Sequence, residues 1–397
     1  MAEVPLRRTQ QSVPFWRDVK IIAILLQVLF VIVVLAVTIF LYTNMVEGLR
    51  RSNLLPNLSF LNQSASIAIG EGLPYTPSDT WRYAFLVGVV NTLRIAIVGV
   101  ILATLLGLVV GISRLSNNWL LRNVAYTYIE IVRNIPLLVQ LIFWATVAQN
   151  LPTVQNSINL GGLLHLTNRG VFLAWPRGSE SMGSWVPWLY GALVAGVALF
   201  LWRRQMLARL DRPGAVLPLA LLGVAVVALL GFVITWIMRG VAPLYLDVPL
   251  LDRFNFKGGT VLTSQFSTLL FGLVIYTASF ISEIVRAGIQ AVSKGQREAA
   301  RALGLSDWQS LRLVVLPQAL RIMIPPMTNQ YLNLSKNSSL AFAIGYPDLF
   351  TIGSTINNQT GQIIPPILMI MGSYLTISLT TSLAMNLYNR RIQLHER

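Results

Sequence analysis

Residues 298–317 read EAARALGLSDWQSLRLVVLP, a charged and partly polar stretch with apolar runs on both sides. Gly295 and Gly304 bracket a helix predicted over residues 296–303. Glu298 would stand in its first turn, where a negative charge suits the helix dipole. Gly304 is the expected left-handed stop of that helix. The stretch therefore begins as a short polar helix with a defined end.

A second helix is predicted to follow this corner. Ser306 can cap it, and Gln309 three residues later completes a capping box. Pro317 should break or kink the helix, because proline lacks an N–H and its ring clashes with the preceding turn. The pattern predicts a bent pair of helices with a fixed corner at the membrane surface. Such a corner suits docking into a protein groove, and an amphipathic helix resting on lipid is the alternative.

The composition of the whole chain indicates a membrane protein. Of its 397 residues, 54% are hydrophobic and only 11% are charged, against about a quarter in a soluble domain. Eight apolar runs approach the length of about 20 residues that spans a bilayer. We expect an all-α membrane protein with about eight transmembrane helices. The runs cover residues 21–42, 84–112, 126–150, 185–202, 215–238, 264–291, 313–334 and 363–387.

The distribution of basic residues predicts the orientation. The loops that would share a side with residues 1–20, including 203–212 and 294–312, carry more Lys and Arg than the opposite loops. By the positive-inside rule both termini and the 298–317 stretch are cytoplasmic. The formal net charge of +15 then reflects contact with anionic lipid. Nucleic-acid binding is not predicted, since no basic stripe with interleaved aromatic residues lies outside the spans.

Several kinds of chemistry are disfavoured by what the sequence lacks. There is no cysteine, and His165 and His395 stand in predicted loops, so neither a disulfide nor a metal site is expected. The sequence contains no G-x-x-x-x-G-K-[ST], H-E-x-x-H or G-x-S-x-G motif. The chain is therefore not predicted to be an enzyme or to bind ATP through a P-loop.

Polar residues at membrane depth are candidates for a transport route. Arg94 lies about ten residues into its predicted span, and pairing with a neighbouring acid is the alternative. Asn329, Asn333 and Lys336 share one helical face. A cation beside amides suits a zwitterionic substrate, and interfacial anchoring of Lys336 is the alternative. Asn337 and Ser338, next along the chain, complete the candidate set.

Two acid–base pairs with a spacing of three residues also lie within spans. Glu283 and Arg286 should share one helix face, as should Glu130 and Arg133. Each pair could serve either as a structural ion pair or in gating. For Glu130 and Arg133, anchoring at the membrane interface is a further alternative. The segment GYPDLF, residues 345–350, is predicted as an outer turn.

The spacing Glu298-Ala299-Ala300, Gly304, Val314 and Leu316-Pro317 resembles the loop signature of ABC-importer membrane subunits, which usually has Ile where Val314 stands. SEIVRAGIQAVSKGQ at 282–296, KNSSL at 336–340, NTLR at 91–94 and YIEIVRNIPLLVQ at 128–140 resemble its polar amino-acid branch. The added segment before residue 264 resembles the first permease of general L-amino-acid importers, or of glutamate/glutamine/aspartate/asparagine importers, in Gram-negative bacteria.

The resemblance implies a type I ABC-importer permease core with inserted spans. Residues 1–83 would form an anchor span and outer loop, 84–150 the first part of the core, and 151–263 inserted loops and two extra spans. Residues 264–397 would form the second part, with a cytoplasmic coupling loop at 294–317. That loop would seat in a separate ATPase through Glu298, Ala299, Ala300, Gly304, Leu316 and Pro317.

The same resemblance implies the partners and the reaction. The chain would carry L-amino acids by alternating access, and ATP and Mg would be held by the ATPase and not by this chain. Expected partners are two copies of the ATPase, a second permease in a heterodimer rather than a homodimer, and a periplasmic amino-acid-binding protein, all at the bacterial inner membrane. An ion-coupled secondary transporter and a membrane scaffold for a cytoplasmic protein remain as alternatives.

Overall fold

The computed structural model describes residues 19–51, 57–210 and 216–392. Predictions that concern residues 1–18 and 393–397, including the side on which the termini lie, fall outside the described residues. The helices are α1 Val19–Arg51, α2 Trp81–Arg114, α3 Trp119–Asn134, α4 Leu137–Gln149, α5 Met182–Arg209, α6 Leu217–Arg239, α7 Ser264–Gln290, α8 Lys294–Ala302, α9 Asp307–Ser310, α10 Leu316–Asn337, α11 Leu349–Thr360 and α12 Ile364–Ile392.

The chain is a mostly helical membrane protein, close to the all-α prediction, although it also contains short β-strands and the number of spans is only approximately eight. Within the described ranges, six helices are long and apolar enough to cross a membrane, namely α1, α2, α5, α6, α7 and α12. The third predicted span is divided into α3 and α4, which are bent by 106° and count as a seventh span if taken together. The bend falls at Pro136, which has no N–H to continue the helix.

The seventh predicted span is α10, a helix of 22 residues that is not among the apolar six. The sequence predicted that Pro317 breaks or kinks its helix, and the regular α-helix is interrupted just before this proline. A π-helical turn, Leu311–Val315, joins α9 to α10, and the Leu316 amide donates to the Leu311 carbonyl. The wider turn places the proline at the start of α10, where its missing N–H costs least.

The bundle is built around the close approach of α2 and α7. A Cβ atom at Gly107 would lie 2.6 Å from Ile281 Cγ2, and one at Gly111 would lie 2.7 Å from the Ser282 carbonyl oxygen. Only glycine permits this contact, which is typical of membrane helices that pack through small residues. Helix α10 completes this layer with Met323 and Leu334, which are both buried in the same apolar cluster.

Helices α11 and α12 pack beside α2 and α10. We call the end of the bundle where α2 begins the outer end, and the end where α7 leads into α8 the inner end. The apolar surface of α1 is exposed along the helix in the isolated chain. Lipid or another subunit must therefore cover it.

Residues 151–210 and 216–263 form an outer layer of short strands and a pair of helices. Eight short strands stand in this region: β1 Ile158–Leu160, β2 Leu164–Thr167, β3 Gly170–Leu173, β4 Trp175–Gly178, β5 Leu244–Asp247, β6 Leu250–Asp252, β7 Asn255–Lys257 and β8 Thr260–Thr263. They pair antiparallel as β1-β2-β3-β8, β4-β5 and β6-β7. Helices α5 and α6 pack on each other between the strands. The proposed domain boundaries remain a prediction.

Candidate functional site

The inner end carries a helical corner that we call the elbow, residues 294–317. Its first helix, α8, begins at Lys294 after the N-cap Ser293. The expectation that Glu298 lies in the first turn is wrong, because the helix starts two residues earlier than predicted. The Glu298 side chain is exposed in the second turn. It therefore presents a negative charge to the surroundings and does not cap α8.

The corner itself has the predicted glycine stop. Gly304 has a φ of +75°, in the left-handed region that favours glycine. Its amide donates to the Arg301 carbonyl at 2.9 Å, and the Leu305 amide donates to the Ala300 carbonyl at 3.1 Å. These two bonds form a Schellman motif and satisfy carbonyls that the end of α8 would leave unpaired. The direction of the chain after α8 is thus fixed by backbone hydrogen bonds.

The second helix begins with the predicted capping box. The Gln309 amide donates to Ser306 Oγ at 3.3 Å, and the Ser306 amide donates to Gln309 Oε1 at 2.9 Å. An ion pair between Arg301 and Asp307, at 3.3 Å, crosses the corner. Because both residues are exposed, this pair adds little stability, and the backbone and capping bonds define the shape.

Two large apolar side chains project on either side of the corner at Gly304. Leu303 is 80% exposed and Trp308 is 67% exposed. Ala300, by contrast, is buried against the core side of the elbow. The sequence interpretation missed Leu303 and Trp308, because the signature highlights small and charged positions. Exposed apolar groups on a rigid corner are typical of a protein-docking surface.

The elbow is fastened to the bundle at both ends. Arg297 Nη2 donates to the Ile289 carbonyl of α7 at 2.8 Å. Gln318 Nε2 of α10 donates to Gln296 Oε1 at 3.2 Å. Val315, beneath the corner, belongs to the apolar cluster that joins α2, α7 and α10. A force applied to the elbow would therefore reach the helices of the bundle directly.

The polar row, Asn329, Asn333 and Lys336, lies on one exposed face of α10. The depth of this row follows from the packing of α10 on α2. Tyr331 lies beside Thr104, with 3.0 Å between their hydroxyl oxygens. A Cβ atom at Gly99 would lie 3.2 Å from Leu334. Since Gly99 is near the middle of α2, Lys336 also lies near mid-span.

This depth argues against the interfacial-anchor interpretation of Lys336. Among the described residues, its ammonium group has no ion pair or side-chain hydrogen bond. A lysine at this depth cannot face hydrocarbon without great cost, so the row must face water or another subunit. Asn337 is half-buried, and Ser338 is fully buried, with its hydroxyl donating to the Ser335 carbonyl at 2.8 Å. The structure therefore separates Ser338 from the exposed row.

The two predicted acid–base pairs differ in the structure. Arg286 Nε lies 3.0 Å from each carboxylate oxygen of Glu283, so this pair is formed within α7. No ion pair joins Glu130 to Arg133. The Arg133 guanidinium instead lies 4.8 Å from the centre of the Phe280 ring, on α7. The same spacing therefore coincides with an ion pair in α7 but not in α3, where the arginine contacts an aromatic ring on a neighbouring helix.

The outer half of α2 carries a partly buried polar cluster. Arg94 Nη1 lies 3.7 Å from Glu71 Oε1, so the predicted pairing with an acid is present. Asn91 Nδ2 donates to the carbonyls of Glu71, at 3.2 Å, and Pro347, at 2.9 Å. One side chain therefore links α2 to the outer loop and to the turn before α11.

The segment GYPDLF is not the outer connector that was expected. Tyr346 and Asp348 are fully buried, and Asp348 caps α11 by accepting from the Thr351 amide at 2.8 Å. Tyr374 Oη donates to the same carboxylate at 3.1 Å. Thr351 belongs to α11 and Tyr374 to α12. The turn pattern of residues 345–350 could not indicate that Asp348 is buried, because the burial depends on these helices.

The fold is that of a polytopic membrane protein, and its inner end carries a fixed helical corner with exposed apolar side chains. The family of binding-protein-dependent transport system inner membrane components matches residues 99–394. The chain belongs to this family, and it is therefore a membrane subunit of a transport system.

Three relatives resemble the chain over nearly its whole length. YhdX of Escherichia coli K12, whose name describes an amino-acid ABC transporter permease protein, is 42% identical over 94% of each chain. The general L-amino acid transport system permease protein AapQ of Rhizobium johnstonii is 41% identical over 96% of this chain and 94% of its own. The glutamate/glutamine/aspartate/asparagine transport system permease protein BztB of Rhodobacter capsulatus is 38% identical over 96% of each chain.

Proposed function

We propose that this chain is the permease subunit of an ATP-driven importer of L-amino acids. The observation that carries the substrate class is the match with amino-acid permeases over nearly the full length, which includes the added spans. The polar row on α10 supports it chemically, because a cation beside amides can hold the carboxylate and polar atoms of a zwitterion.

We propose that the elbow seats in a groove of a separate ATPase. Leu303 and Trp308 supply exposed apolar surface at the elbow's corner. The residues that shape the elbow are those of the family signature: Glu298, Ala299, Ala300, Gly304, Leu316 and Pro317. ATP and Mg bind to the ATPase, and this chain performs no catalysis. Closure of the ATPases then moves the elbow and, through its bonds to α7 and α10, reorients the bundle in a two-state transition.

The substrate route in this proposal follows the exposed polar face of α10. Asn329, Asn333 and Lys336 line it, with Asn337 at its edge, and Arg94 contributes from α2. Ser338, which is buried, supports the backbone of this region and does not touch substrate. The Glu283–Arg286 pair holds α7 near the inner end and is a candidate for an inner gate.

The proposed assembly has two-fold pseudosymmetry. A second, different permease covers the polar row, two ATPase copies bind the two elbows, and a periplasmic amino-acid-binding protein delivers the substrate. The complex lies in the bacterial inner membrane, with both termini of this chain in the cytoplasm. The excess of Lys and Arg in the inner loops supports this orientation.

The test is uptake of radiolabelled L-glutamine and L-glutamate by proteoliposomes that contain the purified complex. We expect uptake to require internal ATP and to be inhibited by vanadate. Uptake driven by an ion gradient and insensitive to vanadate would favour a secondary transporter. Recovery of a non-ATPase partner on the tagged chain, without any uptake, would favour a membrane scaffold.

A further inference from the structure

The guanidinium group of Arg94 lies within the span, but its polar contacts are longer than ordinary charge-assisted hydrogen bonds. Arg94 lies about 20 Å along α2 from its outer end. A guanidinium has five N–H donors, and tight charge-assisted bonds measure about 2.7–2.9 Å. Here the contacts among the described residues are Glu71 Oε1 at 3.7 Å, Asn91 Oδ1 at 3.5 Å and the Phe266 ring at 5.2 Å. The side chain is also 39% exposed, so donors remain available to another acceptor.

The acid that meets Arg94 is carried by the outer segment, residues 57–80. The base of this segment is closed by backbone bonds from Ala65 to Asp79, at 2.8 Å, and from Ser66 to Pro77, at 2.9 Å. The part beyond these bonds, residues 67–76, is called the tip. It packs through Ile67 and Ile69 against the apolar cluster of α2 and α11. The segment is therefore a closed loop pressed onto the outer half of α2.

Tyr75 also packs on this cluster and is half-buried. Burial raises the pKa of its hydroxyl, and the nearby Asp79 carboxylate raises it further. The segment therefore contacts α2 through several side chains, while Arg94 beneath it stays partly exposed.

The backbone conformation of the tip places the Glu71 side chain beside Arg94. Gly72 has a φ of +100°, and a Cβ atom there would lie 2.2 Å from Asn91 Oδ1. Asn91 holds the Glu71 carbonyl, while the Glu71 side chain is only 8% exposed. A nearly buried carboxylate has thus been brought to a cation without a tight hydrogen bond, which is an arrangement that can exchange.

We propose that Arg94, in addition to Lys336, is a binding residue for the carboxylate of the transported amino acid, and that the Glu71 carboxylate contacts Arg94 in place of the substrate while the outer end is closed. This inference rests on the proposed function. When the substrate carboxylate takes Arg94, Glu71 loses its only nearby cation among the described residues and becomes a costly buried charge. Glu71 must then move to water and lift the tip of the outer segment. Substrate binding and opening of the tip are thermodynamically linked. Closure of the tip lowers the affinity for substrate by the same factor by which bound substrate shifts the tip toward its open state.

The test uses the full complex in proteoliposomes and compares Glu71→Gln with Arg94→Gln. Both variants break the pair, so both should raise ATP hydrolysis measured without the binding protein at least threefold. Only Arg94→Gln loses the proposed carboxylate site, so uptake of labelled L-glutamine should fall at least tenfold in this variant alone. The control is Glu47→Gln, which breaks a Glu–Arg pair of 2.8 Å on the exposed surface of α1 and should change neither quantity.

The outcomes separate this inference from the proposed function. The inference is overturned if Glu71→Gln behaves like the Glu47→Gln control, or if Arg94→Gln retains uptake. If the wild-type complex imports neither L-glutamine nor L-glutamate, the proposed function fails, while the ATP hydrolysis of the two variants still decides whether the pair closes the outer end.

A second measurement covers the case in which Glu71→Gln does not assemble. The chain has no cysteine, so an introduced Ile69→Cys can be labelled selectively beneath the tip. We expect its labelling by a membrane-impermeant maleimide to accelerate at least threefold when substrate-loaded binding protein is added. An unchanged rate would show that the tip stays closed and would contradict the inference.

Discussion

Substitutions at Gly304 test whether the shape of the elbow controls docking of the ATPase. The residue has a φ of +75°, and no atom lies within 4 Å of the position of an added Cβ. A side chain there therefore meets no steric obstacle, and its cost comes from the left-handed backbone alone. That cost is about 1–2 kcal/mol for an ordinary L-residue and less for Asn, which tolerates this conformation.

The effect on affinity follows from the population of the formed corner. If only chains with a formed corner bind, the apparent Kd rises by the factor by which that population falls. A penalty of about 1.4 kcal/mol corresponds to at most about a tenfold weaker interaction. We expect the apparent Kd to be highest for Gly304→Ala, intermediate for Gly304→Asn and lowest for the wild type.

Gly295 supplies the matched control. It lies inside α8, and a Cβ atom there also meets nothing within 4 Å, but its backbone is helical. Gly295→Ala should therefore stabilise α8 by about 0.5–1 kcal/mol and leave docking as tight or tighter. The assay is titration of the purified ATPase onto the permease pair in nanodiscs. Equal affinities for Gly304→Ala and wild type, or equal losses at both glycines, would refute the reasoning.

Three further outcomes are expected. Trp308→Ala should weaken ATPase binding about tenfold or more in the same titration without changing the melting temperature, because its side chain is exposed on the elbow. Lys336→Met should reduce amino-acid uptake at least tenfold while ATPase binding is retained, and Lys336→Arg should recover part of it. Gly111→Ala should destabilise the bundle by about 1–3 kcal/mol, since its Cβ would lie 2.7 Å from a carbonyl of α7. In a thermal unfolding assay Gly372→Ala, which lies in α12 with nothing within 4 Å, should be neutral to slightly stabilising.

The elbow could be predicted from the sequence because its determinants are local. A left-handed glycine and a capping box act over three to five residues, so their pattern indicated both the end of α8 and the start of α9. Helix α8 begins two residues before its predicted start, so Glu298 lies in the second turn and not in the first. The interruption at Pro317 was predicted, but the π-helical turn that precedes the proline was not, because it leaves no signal in the composition.

The polar residues were harder to interpret, since their roles depend on distant partners. Spacing placed Asn329, Asn333 and Lys336 on one face, but their depth followed only from the contacts of α10 with α2. The Glu71–Arg94 pair joins an outer loop to a span, and the buried Asp348 joins α11 to α12. Neither contact leaves a periodic pattern in the sequence, because each partner lies far from the other along the chain.

The most direct test of the central claim is to determine what the elbow touches in the assembled complex. A single cysteine, Trp308→Cys, in this cysteine-free chain can carry a photo-activated cross-linker. We predict that it cross-links to the ATPase subunit and that a membrane-impermeant thiol reagent reaches it only from the cytoplasmic side. Labelling from the periplasmic side, or cross-links to lipid alone in the complete complex, would contradict the account.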